Sequence, residues 1–151
     1  MKIEITGVKS YKIFINKLYI KNVDLNDRDS ITLLVKDFLK KMKNKLHLRG
    51  FYKVKVFPHQ AIGVFLELIQ LEELEFSNNL DLRIVVYFDE AFFFETEDYF
   101  KISKSSNIRF LDGKFYCLID DDFDELLEIV EFGRIIYGRE VINVLSEGIL
   151  I

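Results

Sequence analysis

Ile108-Arg109-Phe110-Leu111-Asp112-Gly113-Lys114-Phe115-Tyr116-Cys117 is the stretch on which the fold turns. Asp-Gly is a favoured two-residue hairpin loop, because both positions take positive φ and both residues tolerate it. Pairing outward from that turn sets Leu111 against Lys114, Phe110 against Phe115 and Ile108 against Cys117. One face then holds Ile108, Phe110, Phe115 and Cys117, all apolar. The other holds Arg109, Leu111, Lys114 and Tyr116 and is wetter. Cys117 is expected in the core.

After the hairpin, a helix is expected from Asp120–Asp122, burying Phe123, Leu126, Leu127 and Val130 and ended by Gly133 or Gly138. A last short helix, Val141–Leu145, would be closed by Gly148. Before the hairpin, Leu82, Ile84, Val86 and Phe88 alternate as a strand. In residues 89–104, Phe92, Phe94, Phe100 and Ile102 suit a strand, whereas Glu95–Lys104 suits a short helix.

Further back, Ile3 and Ile5, then Tyr11, Ile13 and Ile15, alternate on either side of Gly7 and read as a hairpin. Asn26, Asp27 and Asp29 offer N-caps for a helix whose apolar stripe is Ile31, Leu34, Val35, Phe38, Met42 and Leu46, with Gly50 at or beyond its end. Tyr52, Val54 and Val56 alternate with Lys53 and Lys55. The chain then turns at Pro58, and the run 62–71 is apolar enough to be a central strand. The Glu-rich segment 71–80, with Ser77-Asn78-Asn79, is the natural boundary. The fold expected is therefore α+β, with mostly antiparallel sheets, hairpins and two to four helices. Two similar-sized halves build it: a basic β-β-α-β-β subdomain over 1–76 and an acidic β-(α)-β-β-α subdomain over 77–151.

Charge sharpens that division. Residues 1–60 carry fourteen Lys/Arg against five Asp/Glu, while residues 61–151 carry seven against twenty. Such a split either steers a partner of opposite charge or matches one part of an assembly to another. Half of the 151 residues are hydrophobic and 30% are charged, a globular balance rather than a disordered one. Two Ala and one Pro beside abundant Ile, Lys, Asn and Phe are the bias of AT-rich coding, which points to a low-GC bacterium. No apolar window is long enough to span a bilayer, the N-terminus lacks a signal-peptide pattern, and a single Cys suits a reducing compartment. The location expected is cytoplasmic, with no membrane partner.

Recognisable catalytic chemistry is missing. The seven glycines are scattered and form no phosphate loop, and two His with one Cys cannot fill a tetrahedral zinc site of Cys/His type. No Ser lies in a nucleophile-elbow context. His59, beside Pro58, is a general-base candidate, but a solvated turn histidine is the simpler reading. Asp120-Asp121-Asp122, with Asp124 and Glu125, invites a divalent cation. The run lacks the alternating oxygens and central Gly of a calcium loop, and it suits capping of a helix N-terminus better. No catalytic residue, metal ligand or cofactor is assigned.

Two features point instead to interaction. Lys36, Lys40, Lys43 and His47 form a basic ridge opposite the apolar stripe of the helix, widened by Lys41, Lys45 and Arg49. Phe92-Phe93-Phe94 cannot all point into one core from a strand, so at least one side needs cover from another half, a second subunit or a partner. The candidate interaction residues are Lys36, Lys40, Lys43, Phe92, Phe93 and Phe94.

Met1-Lys2-Ile3-Glu4, the helix leading to Gly50-Phe51 and the strand pair after it are similar to the substrate-binding domain of the MecA family of bacterial adaptor proteins. Phe94-Glu95-Thr96-Glu97-Asp98, Phe110-Leu111-Asp112-Gly113-Lys114-Phe115-Tyr116 and Glu131-Phe132-Gly133-Arg134-Ile135-Ile136 resemble, in order, that family's C-terminal domain. The resemblance implies that residues 1–75 bind a client and residues 80–151 bind a Clp-type ATPase. The chain departs from the family in being shorter, in lacking the long acidic linker and in missing one strand–helix step. The function expected is a non-enzymatic protein-interaction or adaptor module that binds another protein or a second copy of itself. The alternatives are a nucleic-acid-binding protein using the basic helix 30–49, a structural or oligomeric protein, and a metal-dependent enzyme using the acidic second half.

Overall fold

A computed structural model describes residues 2–20, 22–72, 79–88, 90–99, 102, 107–119 and 134–151. The chain divides into two compact units, Met1–Phe88 and Asp89–Ile151.

In the first unit, β1 (Lys2–Gly7), β2 (Ser10–Asn16), β3 (Gly50–His59), β4 (Gly63–Glu72) and β5 (Leu80–Val86) form one sheet in the order β1-β2-β4-β3-β5. The strongly apolar β4 lies in the middle, between β2 and β3, as its composition requires. Helix α1 (Arg28–Met42) supplies Ile31, Val35 and Leu39 to a core shared with Tyr11, Ile13 and Ile15 of β2, Tyr52, Val54 and Val56 of β3, and Val64, Leu66 and Leu68 of β4. Asp27 is its N-cap residue. The Ser30 hydroxyl donates to the Asp27 carboxylate at 2.6 Å, and this bond holds the carboxyl below its ordinary pKa. The helix stops at Met42, so Leu46, expected on its stripe, lies in the turn beyond, and Leu39 takes a buried place on it.

β5 is the main departure from the expected plan. It pairs parallel to β3, with Tyr52 opposite Leu82 and Val54 opposite Ile84, so it belongs to the first sheet and not to a second half. Alternation shows that 80–86 is a strand but says nothing about which edge it joins. Leu80, Leu82 and Ile84 bury their apolar side against the α1 core. The compact units accordingly meet after Phe88, where the sequence reading placed its boundary at 76/77.

The second unit is a smaller antiparallel sheet. β6 (Phe93–Thr96), β7 (Ile108–Leu111), β8 (Lys114–Leu118), β9 (Arg134–Ile136) and β10 (Ile149–Leu150) run in the order β10-β7-β8-β6-β9. The Asp112-Gly113 turn has φ of 51° and 78°, and the β7–β8 register pairs Ile108 with Cys117, Phe110 with Phe115 and Leu111 with Lys114. Cys117 is buried. The face expected to be wetter is in fact a second packing surface: Tyr116 joins Phe93, Ile136 and, from helix α2 (Arg139–Glu147), Val141 and Val144. Gly138 opens that helix as its N-cap residue instead of ending a preceding one.

The class is therefore mostly β and not α+β. Ten strands and two α-helices lie among the described residues. The predominance of strand has a physical source: period-2 alternation runs through most of the described chain, while among the described residues 3.6-residue periodicity is sustained in α1 and briefly in α2. The expected helix from Asp120, the acidic run 120–125 and the proposed boundary at 77 lie outside the described residues.

Candidate interaction surface

α1 presents two chemically distinct sides. Ile31, Val35 and Leu39 face the sheet, whereas Lys36 and Lys40, one turn apart, are exposed, as are Lys41, Lys45 and Arg49. No carboxylate forms an ion pair with Lys36, Lys40 or Lys41 among the described residues. Lys43, the C-cap residue, is half-buried. Cations here complement the negative end of the helix dipole, which suits them to this end of the helix whatever else they do.

Beyond Met42 the chain turns sharply, and His47 adopts a left-handed φ of 52°. His47 thus leaves the helical ridge on which the sequence placed it. The turn is tied from outside by its carbonyls. The Tyr11 hydroxyl donates to Leu46 O at 3.0 Å, Lys9 Nζ to His47 O at 3.4 Å, and Gln70 Nε2 to Arg49 O at 2.9 Å. With the backbone held in this way, Lys43, Asn44, His47, Leu48 and Arg49 line a cleft of about 430 Å³ that continues the lysine face. Lys9 and this cleft were not readable in advance, because 38 residues separate Lys9 from His47.

The other candidate residues have a different fate. Phe92, Phe93 and Phe94 are each 1% exposed. β6 lies between β8 and β9, Phe93 enters the α2-side core, and the Phe92 ring meets Tyr137 at 5.8 Å between centroids. The three rings are core, and the cover they need comes from within the chain. A partner has no access to them.

Polar groups elsewhere serve the fold. His59 Nδ1 accepts a hydrogen bond from Ala61 N at 3.1 Å across the β3–β4 turn, which gives it a turn-stabilising role. The Glu95 carboxylate, 10% exposed, receives Lys114 at 3.3 Å and Arg134 at 3.6 Å, and Arg134 reaches on to Glu140 in the first turn of α2 at 2.7 Å. Beside it, burial pushes the Tyr116 phenol up to about 12, with a further push from its hydrogen bond to Glu95. Through Arg134, which reaches both Glu95 and Glu140, this network links a strand of the sheet to the first turn of α2. Among the described residues no three His, Cys, Asp or Glu side chains converge as metal ligands, and no helix is long and apolar enough to cross a membrane.

No protein family, no curated protein and no solved structure matches this chain.

Proposed function

We propose that this protein is a non-enzymatic interaction module that docks an acidic protein surface on the outer face of α1 and the basic cleft beyond it. The observation that carries this reading is the exposure of Lys36 and Lys40 without carboxylate partners among the described residues, on a helix whose other side is committed to the core. Exposed, unpaired cations contribute little to stability, so their concentration on one face is available for recognition. In the adaptor form that the MecA-like resemblance implies, the acidic surface is a client, and the second unit serves a Clp-type ATPase. Phe92–Phe94 have no part in it.

The test is capture from a nuclease-treated lysate by the native chain and by a Lys36→Glu/Lys40→Glu/Lys43→Glu variant. A specific acidic protein held by the native chain and released by the variant is the expected result. Salt-sensitive retention of nucleic acid by the native chain would show instead that the lysines read a phosphate backbone. Capture indifferent to the three substitutions would remove α1 from the account.

A further inference from the structure

We propose that the outer edge of the first sheet is a self-pairing surface, through which β1 of one chain adds antiparallel to β1 of a second copy about a two-fold axis. The sheet order leaves β1 at one end, and no described residue pairs with its outer side. Every residue of β1 is exposed. Natural edge strands are blunted by charged side chains, proline, bulges or a covering element. β1 has no proline, its one irregularity lies between Ile5 and Gly7, leaving Lys2–Ile5 regular, and its two charges, Lys2 and Glu4, are of opposite sign and so can pair across a two-fold contact. Ile3 and Ile5 stand opposite the core residues Ile13 and Tyr11, yet they are 37% and 73% exposed, an apolar margin that α1 does not cover.

Charge selects the partner. On the opposite face a ladder crosses the sheet in register: Lys55 faces Glu67, Glu67 faces Lys12, and Lys12 faces Glu4. Opposite charges directly across a strand pair are favourable and like charges are not. The ladder ends on Glu4 at the open edge. A two-fold axis perpendicular to the sheet keeps each face on its own side, so a β1 residue can meet only residues of its own parity. Centring the axis on Lys2 or on Glu4 puts like charges together, and centring it on Ile5 leaves Glu4 against Thr6. Centring it on Ile3 alone places Glu4 opposite the second copy's Lys2 twice over, continues the alternation and stacks Ile3 on Ile3. The partner that fits this edge is the chain itself, in an isologous contact. A pairing this short buries less than the roughly 1,200–2,000 Å² of a standard stable interface, so the dimer is concentration-dependent. None of this rests on the α1 reading.

Sedimentation of the full chain from micromolar to millimolar concentration tests it. The native chain should move from monomer to dimer, and Glu4→Lys should weaken that step about tenfold by replacing two attractive pairs with two repulsive ones. The double variant Lys2→Glu/Glu4→Lys should restore it. Under oxidant, Ile3→Cys should trap a disulfide-linked dimer, and Ile5→Cys, whose two copies this register does not bring opposite each other, should not. Circular dichroism shows whether these exposed substitutions leave the fold intact. A native chain that stays monomeric, a dimer indifferent to charge reversal, or cross-linking at Ile5 in preference to Ile3 would each overturn the proposal.

Discussion

Gly63 opens β4 at a φ of +136°, and a Cβ there would run into the carbonyl oxygen of Ile15, with Lys17 N 2.7 Å away. Both obstacles are backbone of the neighbouring β2 end, so neither can rotate aside. Gly63→Ala should therefore cost roughly 2–6 kcal/mol, combining steric crowding with left-handed backbone strain. Gly113 shares the positive φ, but nothing lies within 4 Å of its would-be Cβ. Its alanine variant should lose only about 1–2 kcal/mol. Chemical denaturation of the two variants checks the contrast, and equal losses would refute it. The pair also shows what a sequence displays at this scale. Gly113 is legible because its demand is local to an Asp-Gly turn, whereas the demand on Gly63 is made by Ile15, 48 positions away, and leaves no local mark. Phe92–Phe94 are a similar case. Their apolarity is plain, but only the folded chain shows that all three rings are buried within it, each 1% exposed.

α1 has a buried side and an exposed, lysine-bearing side. Leu39 is fully buried in the core of the first unit, and Leu39→Ala should cost about 2–5 kcal/mol through lost burial and the cavity left behind. Lys36, exposed on the opposite side, should tolerate Lys36→Ala within about 0.5 kcal/mol. Unfolding followed at 222 nm checks both, and a Lys36 variant as damaging as the Leu39 one would mean that the ridge is structural. The existence of this helix was legible from periodicity, as were the β1–β2 hairpin and the register of β7 and β8. The partner of β5 was not. A strand's alternation shows which side is buried but not the sheet edge it joins, and that edge is chosen by the unfilled apolar margin beside β3. The same ignorance of pairing placed β5 in the second half of the expected plan, whereas it joins the first sheet beside β3.

For the molecule as a whole, charge is arranged against its own sum. The first unit carries fifteen Lys/Arg and ten Asp/Glu, and the second six and fifteen, for a net charge of −4. Residues 36–49 alone hold six Lys/Arg and one Asp, as large an excess as that of the whole first unit. An acidic partner is therefore attracted by the ridge and repelled by the molecule, and ionic strength decides which it feels. At 0.1 M salt the screening length is about 10 Å, long enough for neighbouring charges within the ridge to act together while charges farther from the probe are screened. At 0.01 M it is about 30 Å, so the probe also feels more of the chain's net negative charge. Binding of fluorescently labelled poly-glutamate should consequently be tightest at intermediate salt, weakening toward high salt as the ridge is screened and toward very low salt as the net negative charge is felt. Anisotropy titrations across that range measure it. Affinity that rises without a turn down to the lowest salt would mean that the ridge outweighs the net negative charge at every ionic strength. A curve without any salt dependence would mean that these lysines do not hold the probe.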